Sequence, residues 1–352
     1  MSDNVKNVVQ SVLFGFILLS VFLFNIICKD NEISLSEKRK LQLMPDVSFE
    51  SIFDGSFFDN FDKYGEDQFF IREPLRNISM FLDLNVRGEY NNLAVKNNYI
   101  YEKRINTNIK SVDNFISKIN LIGEMYLSDK NNVYYSIIPD KSYFIDNDYS
   151  YIINRLNNEF SYKYINIMDC LSLSDYYKTD QHWKQENIKL VAKRVLESMN
   201  KEFIDDYKET FIKEFSGTYG NRLSILNVKD KLKILTSNTL ENSLVFNYEK
   251  NNVSSIYNFN NIIDSYDIYL DGPVSIISIV NNDINIDDEL IIFRDSFSSS
   301  LAPLLLNQYK KITLVDTRYI SPRLISNYVK FDKQDVLFIY STLIINNSYT
   351  FK

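Results

Sequence analysis

The clearest pattern along the chain is an apolar run close to its beginning. Residues 8–27 contain four polar side chains and no charged one. About 20 such residues span the hydrocarbon core of a bilayer as an α-helix. No small-residue cleavage site follows, so the run predicts an uncleaved signal anchor that crosses the membrane once. Positive charges stand on both sides, at Lys6 and from Lys29 to Lys40, so their count favours neither orientation.

From about residue 107 the apolar positions alternate between helical and strand-like spacing. Strands are predicted at 133–138, 164–168, 289–293, 312–316 and 335–340, and helices at 112–126, 149–160, 186–199, 301–309 and 325–329. Right-handed crossovers between such strands give a largely parallel sheet covered by helices on both faces. We therefore predict a three-layer αβα domain behind the membrane helix.

The pattern also suggests how the chain is divided. We predict an anchor at 1–30, a stem at 31–103 that contains a helix near 75–84 and packs on the body, and a body at 104–352. No linker rich in glycine, serine or proline separates the last two. Between about 201 and 285 the periodicity is poorer. This segment is either an insertion that shapes a cleft or extra sheet without contact to substrate.

The amino-acid composition excludes some classes of partner and of metal site. With 45% hydrophobic residues the chain can bury a core, and its net charge of −7, without a dense basic cluster, argues against a nucleic-acid partner. One histidine and two distant cysteines, Cys28 and Cys170, cannot supply the usual Cys/His metal ligands. We predict neither a metal nor another cofactor, although carboxylates alone leave a metal site open.

His182 is the only histidine, and it stands on a loop just ahead of the helix predicted at 186–199. A helix N-terminus disfavours a positive imidazolium, so a base placed there needs a carboxylate in support. Asp180, two residues earlier, can give that support. The alternative is a histidine that is satisfied by local hydrogen bonds in a surface loop.

Ser296 follows the strand predicted at 289–293 and precedes the next helix. A serine at a strand-to-helix turn exposes its hydroxyl close to helical amides, which suits a nucleophile. The alternative is that Asp295 and the serines 298–300 only cap the helix. Functional groups collect beyond the carboxyl ends of parallel strands, and both His182 and Ser296 have that placement. We therefore predict a Ser296–His182 contact of about 2.6–3.2 Å, with Asp180 on the other ring nitrogen and the Ser296 or Phe297 amide as an oxyanion donor.

The motifs around His182 and Ser296 resemble those of a known protein family. Thr179-Asp-Gln-His-Trp183 resembles the Asp-His-His-Trp signature of the bacterial DHHW protein family, and Arg294-Asp-Ser-Phe297 resembles its downstream Gly-Asp-Ser motif. Further similar segments lie at 139–141, 316–319, 335–337 and in the stem. Two positions depart from the family pattern, namely Gln181, in place of a histidine, and Arg294, where glycine is frequent.

The family is similar to the SGNH-like alginate O-acetyltransferases, and the resemblance implies a function. It implies an SGNH-like domain, held outside the cytoplasm at the cell surface, that moves acetyl groups onto a secreted polysaccharide through a Ser–His–Asp triad and an acetyl-enzyme. The implied partners are an acetyl donor, the polysaccharide acceptor and a multi-pass membrane acyltransferase. We also predict that Trp183, Arg294 and Arg318 bind substrate. The alternatives are a carbohydrate acetylesterase and a scaffold without activity that binds glycan or a partner.

Overall fold

The computed structural model describes residues 3–34, 37, 39–103, 106–260 and 264–352. The chain forms two compact units, one of residues Met1–Tyr90 with Asn221–Asn227 and one of residues Asn91–Gly220 with Val228–Lys352. The boundaries that we predicted near residues 30 and 103 stay predictions. Lys38, in the basic run after the anchor, and residues 104 and 105, at the second boundary, lie outside the described residues.

The first unit begins with helix α1 (Asp3–Ile27). Its segment Val5–Ile27 has a mean hydropathy of 2.2 and no buried residues, and it is the helix among the described residues that is long and apolar enough to cross a membrane. The predicted apolar helix is therefore confirmed. The other elements of this unit are β1 (Ile33–Ser34), β2 (Arg39–Lys40), α2 (Phe49–Phe53), α3 (Ser56–Gln68) and α4 (Arg72–Val86).

The remaining elements alternate strands with helices, as the apolar spacing predicts. The strands are β3 (Leu93–Lys96), β4 (Tyr99–Glu102), β5 (Val133–Ile138), β6 (Lys163–Tyr164), β7 (Lys208–Phe215), β8 (Asp230–Thr236), β9 (Leu244–Asn247), β10 (Asn252–Ser254), β11 (Ile276–Val280), β12 (Glu289–Arg294), β13 (Lys311–Val315) and β14 (Asp335–Ser341). The helices are α5 (Ile109–Tyr126), α6 (Ser150–Glu159), α7 (Lys189–Ser198), α8 (Thr218–Arg222), α9 (Asn238–Asn242), α10 (Ser298–Leu301) and α11 (Thr342–Ile345).

Eight of these strands form the central sheet, in the order β10-β9-β11-β13-β12-β14-β5-β6. The strands from β13 to β6 are parallel, whereas β9, β10 and β11 add an antiparallel edge. Side chains alternate between two cores, so that in β14 Phe338 packs in the core of α5 and α6 while Leu337 packs in the core of α7 and α10. The sheet is thus covered on both faces, which confirms the predicted αβα architecture with a mostly parallel sheet.

One predicted strand is wrong for most of its length. The strand predicted at 164–168 ends at Tyr164, and Met168–Cys170 forms a 3₁₀ turn. Because β6 is an edge strand that pairs only with β5 over two residues, the apolar side chains after it pack into the core without a ladder of hydrogen bonds.

The helix predicted at 301–309 begins earlier and changes type. It starts at Ser298 as α10 and continues over Ala302–Gln308 as a 3₁₀ helix. Pro303 has no N–H group, so the α-helical ladder of hydrogen bonds cannot run through it. The helix predicted at 325–329 is likewise a 3₁₀ helix, at Pro322–Asn327.

Candidate active site

The site lies where three neighbouring parallel strands, β5, β14 and β12, reach their carboxyl ends. We call residues 177–183 the histidine loop and residues 295–297 the serine turn. The loop is fixed over the end of β5, where the Lys141 ammonium donates to the Tyr177 carbonyl at 3.1 Å. The serine turn follows β12 directly. Both segments therefore reach the same rim of the sheet.

A chain of hydrogen bonds joins the two segments. The Nδ1 atom of His182 lies 2.6 Å from Oδ1 of Asp180, and its Nε2 atom lies 2.8 Å from Oγ of Ser296. An ionised carboxylate can only accept hydrogen bonds, so Nδ1 carries the ring proton and Nε2 accepts from the Ser296 hydroxyl. The structure thus brings together, within the expected distance, three residues that span 116 positions of the chain.

Asp180 is fully buried, and both of its carboxylate oxygens are engaged. Oδ1 also accepts the backbone N–H of His182 at 3.1 Å, and Oδ2 accepts the backbone N–H of Thr218 at 2.8 Å. Burial alone would raise the pKa of Asp180, but the charge of His182 and these hydrogen bonds outweigh it and hold the pKa below its usual value. Asp180 therefore stays ionised beside the imidazole.

The histidine loop is held from two sides by charged groups. Asp230 accepts the backbone N–H groups of Lys178 and Thr179 at 2.9 and 2.7 Å, and the Thr179 hydroxyl at 2.6 Å. On the other side, Lys141 donates to the carbonyls of Tyr177 and Lys178 at 3.1 and 3.3 Å. These hydrogen bonds fix the backbone of residues 177–179, and they therefore also fix the position of Asp180, the next residue.

A glycine-containing loop packs directly against Asp180. A Cβ atom on Gly217 would lie 2.3 Å from Cβ of Asp180, and one on Gly220 would lie 2.7 Å from Cβ of Thr179, so neither position has room for a side chain. The sequence shows this loop at 215–222, but its irregular spacing matches no phosphate-binding motif. Its glycines allow close approach, which lets Thr218 reach the carboxylate of Asp180.

The serine turn is held by Asp295. This buried carboxylate accepts the backbone N–H of Phe297 at 3.1 Å and that of Ser341, at the end of β14, at 2.7 Å. Ser296 itself is half-buried. Of the two predicted oxyanion donors, the Phe297 amide is occupied by Asp295, whereas the Ser296 amide has no acceptor among the described residues.

The ring of Tyr266 lies flat against the imidazole. The two ring centroids are 3.7 Å apart with an angle of 3° between the planes, and the Tyr266 hydroxyl lies 2.7 Å from that of Ser300. The face of an aromatic ring attracts a cation, so this stack favours a positive imidazolium. Sequence reasoning missed Tyr266 because it is one of 25 tyrosines and lies in the segment with poor periodicity.

A cavity of about 180 Å³ opens beside the Ser296 hydroxyl. Its lining includes Gln181, His182, Tyr266, Ser296, Arg318 and Tyr319. The imidazole and the serine hydroxyl are therefore both within reach of a small molecule. The segment at 201–285 contributes Tyr266 to this wall, together with Asp264, Asp267, Tyr269, Gly272 and Pro273.

Two of the residues predicted to bind substrate lie beneath the site. Trp183 is fully buried and donates from Nε1 to the Ser300 hydroxyl at 2.9 Å. Arg294 is 1% exposed and donates from Nη1 to the Ser299 hydroxyl at 3.0 Å, and burial lowers its pKa. Neither residue lines the cavity, so their contact with substrate stays a prediction.

Arg318 is the predicted binding residue that reaches the cavity wall. Its Nε and Nη2 atoms donate to the two carboxylate oxygens of Asp316 at 2.9 and 2.6 Å. This pairing fixes the plane of the guanidinium group and leaves Nη1 outside the bidentate contact. A polar group of a bound substrate therefore has a preorganised donor close to Ser296.

Comparison with solved structures identifies the fold. A DHHW family protein from Eubacterium siraeum DSM 15702 is similar over 75% of this chain and 96% of its own, with a TM-score of 0.61 and 19% identity. The chain shares its fold with a DHHW family protein. Bacillus cereus PatB1 with a sulfonyl adduct matches with a TM-score of 0.56 and 18% identity, over 72% of this chain and 97% of its own.

The O-acetyltransferase domain of Pseudomonas putida AlgJ is a weaker match, with a TM-score of 0.47 and 9% identity over 72% of this chain and 92% of its own. No protein-family model matches the sequence, and no curated protein matches it either. At these identities the likeness concerns the fold, and the resemblance that we predicted from the sequence motifs is confirmed at that level.

Proposed function

We propose that this protein is a membrane-anchored O-acetyltransferase that acts outside the cytoplasm on an exopolysaccharide, with Ser296 as its nucleophile. The observation that carries the proposal is the hydrogen-bonded chain from Asp180 through His182 to a half-buried serine hydroxyl at a cavity. Nucleophilic acyl transfer by serine needs a base within hydrogen-bond reach and a group that orients the base.

In the first half of the reaction, Ser296 Oγ attacks the carbonyl carbon of an acetyl donor and His182 Nε2 takes the hydroxyl proton. The imidazolium that forms is stabilised by Asp180. When the tetrahedral intermediate collapses, the bond from the carbonyl carbon to the donor's leaving group breaks. The leaving group takes the proton from His182, and an acetyl ester remains on Ser296.

In the second half, a sugar hydroxyl of the acceptor enters. His182 removes its proton as the oxygen attacks the acetyl ester, and Ser296 Oγ leaves and regains the proton. The product is an acetylated sugar, and the enzyme returns to its starting state. If water enters instead, the same steps release acetate, which is the acetylesterase alternative.

The oxyanion of both tetrahedral intermediates needs hydrogen-bond donors. We assign the Ser296 amide as one donor and the side-chain amide of Gln181 as the second. Gln181 lines the cavity, and its Nε2 atom lies 3.5 Å from Nε2 of His182. This assignment gives a role to the residue that replaces a histidine of the family signature.

The proposed location rests on α1 and on the resemblance. The α1 helix would anchor the enzyme, and the catalytic unit would face the polysaccharide outside the cell. A multi-pass membrane acyltransferase would supply the acetyl group across the membrane.

Turnover of p-nitrophenyl acetate by the full chain in lipid nanodiscs tests the chemistry. Ser296→Ala should lower turnover by at least about 10³-fold. Ser298→Ala is the matched control, because the buried hydroxyl of Ser298 has no hydrogen-bond partner among the described residues and its loss should leave turnover unchanged. Full activity in Ser296→Ala would reject the nucleophile, and an inactive wild type would favour the scaffold alternative.

Analysis of the reaction products then distinguishes a transferase from an esterase. With an added panel of oligosaccharides, a transferase should form sugar acetate esters at the expense of free acetate. An esterase should release only acetate, whatever the acceptor.

A further inference from the structure

Helix α4 in the first unit presents an apolar face to solvent. Its residues Leu75, Ile78, Phe81, Leu82 and Val86 are 47–80% exposed. At 3.6 residues per turn these five positions fall within an arc of about 140° on the helix surface. No charged residue lies in this arc, and Asn85 is its one polar residue, so α4 has a largely apolar stripe without a partner among the described residues.

The charged residues of α4 occupy the opposite side, around the buried Met80. Arg72, Glu73, Arg76 and Asp83 fall within a separate arc of about 100°. The guanidinium groups of Arg72 and Arg76 are only 16% exposed, and both pair with Glu37, at 2.6 and 3.7 Å. A helix of a water-soluble domain packs its apolar side inward. In α4 only Met80 is buried and five large apolar side chains face outward, which is typical of a helix with a second apolar environment to face.

The position of α4 relative to α1 indicates what that environment is. The ring of Phe70 stacks on Phe24 of α1 at 5.3 Å, and the Phe70 N–H donates to the Asn25 side chain at 3.0 Å. Gln68 is tied to the backbone of Asn31 by hydrogen bonds of 2.9 and 3.0 Å. Phe24 lies less than one turn before the end of α1. The chain therefore enters α4, at Arg72, at the level of the end of the membrane helix.

We propose that the exposed face of α4 lies in the membrane interface, with its five apolar side chains among the lipid headgroups and upper acyl chains. The proposal rests on the anchoring role of α1 proposed above. An amphipathic helix of this kind binds a bilayer surface through its apolar face. Because α1 fixes the start of α4 at that surface, docking costs little further translational freedom. The stem is then a second membrane contact, which would restrict the tilt of the first unit.

Site-directed spin labelling of the full chain tests this placement. The native cysteines are removed first, as Cys28→Ser and Cys170→Ser, and the background is checked for ester turnover. Nitroxides are then attached in separate variants, Ile78→Cys and Phe81→Cys, in nanodiscs of phosphatidylethanolamine and phosphatidylglycerol. Collision with oxygen, which concentrates in lipid, and with a water-soluble nickel chelate reports the depth of each label. Phe16→Cys in α1 is the membrane control, and Asp62→Cys, at an exposed position of α3, is the water control.

Labels at 78 and 81 should read as shallower than the label at 16 but as lipid-exposed, with oxygen collision raised and nickel collision several-fold lower than at 62. Nickel collision equal to that at 62 would overturn the proposal, because the face would then be in water. Protection from both reagents would also overturn it, because protein, either another part of this chain or a second copy, would then cover the face. A label at 16 that reads as water-exposed would instead reject the anchor itself, whereas the ester assay reports on Ser296 independently.

Discussion

The histidine loop and the serine turn meet at one rim of the sheet, but different forces hold them. The serine turn continues β12 without a gap, and Asp295 fastens it to the neighbouring strand β14. The histidine loop does not continue a strand but begins 13 residues after Tyr164, the end of β6, and depends on side chains such as Asp230 and Lys141. The position of the nucleophile is thus set by main-chain continuity, and that of the base by tertiary hydrogen bonds.

The contrast is sharpest in two buried carboxylates, Asp180 and Asp295. In each residue, both carboxylate oxygens accept hydrogen bonds. Asp180 accepts from the imidazole and two backbone amides, whereas Asp295 accepts from backbone amides alone. We therefore expect Asp180 to govern rate and Asp295 to govern stability. Substitutions at the two positions separate these roles.

Asp180→Asn should have the largest effect. An amide in place of the carboxylate can donate to Nδ1, which favours the tautomer that leaves Nε2 unable to accept the Ser296 proton. We expect kcat to fall by about 10³–10⁴-fold. The measurement is steady-state turnover of p-nitrophenyl acetate, with the near-ultraviolet circular dichroism spectrum as the control for folding. A loss of less than about tenfold would remove Asp180 from the proposed mechanism.

Asp295→Asn should act mainly on stability. One of its two backbone partners, Phe297 or Ser341, would face an NH₂ group and lose its acceptor, at a cost of about 1–3 kcal/mol. Urea unfolding of the variant and the wild type measures the difference in free energy of unfolding. Its kcat should fall much less than that of Asp180→Asn. The reverse order of the two variants in kcat would contradict the division of roles.

Lys141 gives the histidine loop a pH-dependent contribution to stability. Burial lowers its pKa to about 7, although Asp180, Asp230 and Asp140 act to raise it. In the unfolded chain a lysine has a pKa of about 10.4. Between these values the unfolded state binds more protons, so the free energy of unfolding should rise with pH over this window.

Replacing Lys141 should remove that rise. Urea unfolding at a series of pH values from about 7 to about 10, between the pKa of Lys141 in the folded and in the unfolded chain, compares the wild type with Lys141→Met. Lys110→Met, at an exposed position of α5, is the control and should keep the slope of the wild type. Parallel curves for all three proteins would show that Lys141 does not titrate in this range.

Tyr266→Leu should have a smaller effect on turnover than Asp180→Asn. It removes the ring that stacks on His182, and because both side chains are buried the aromatic face contributes about 2 kcal/mol to the imidazolium, which corresponds to roughly a 30-fold loss in kcat/KM. Tyr266→Phe keeps the ring and loses the hydrogen bonds of the hydroxyl to Ser300 and to the Phe297 carbonyl, so its kcat/KM should stay close to that of the wild type. Equal losses in the two variants would assign the effect to the hydroxyl instead of the ring.

Much of the fold could be predicted from apolar spacing. The strands β5, β12, β13 and β14 are continuous apolar runs, and the order of strands and helices determines a parallel sheet between helical layers. The edge of the sheet was less predictable. After Tyr164, the end of β6, the apolar residues pack into the core without a ladder of hydrogen bonds to a neighbouring strand. At Pro303 the missing N–H group ends the α-helix, and the chain continues as a 3₁₀ helix. Apolar periodicity reports burial, and it does not report which hydrogen bonds are made.

The site residues could be predicted only where a residue type occurs once in the chain, lies beside such a residue, or stands at a recognisable boundary between elements. His182 is unique, Asp180 is its neighbour, and Ser296 stands at a strand-to-helix turn. Asp230 and Tyr266 belong to abundant residue types and act from other parts of the chain. Their contributions depend on tertiary contacts that leave no local pattern.

In the proposed reaction, contact with His182 makes Ser296 the nucleophile that carries the acetyl group. Rapid acid quench of the full chain during turnover of p-nitrophenyl acetate, followed by mass spectrometry of its peptides, tests it directly. We expect one added acetyl group on the peptide that contains Ser296, and none in Ser296→Ala or His182→Ala. Turnover by the wild type with acetyl trapped on another residue, or with undiminished labelling of Ser296 in His182→Ala, would contradict it.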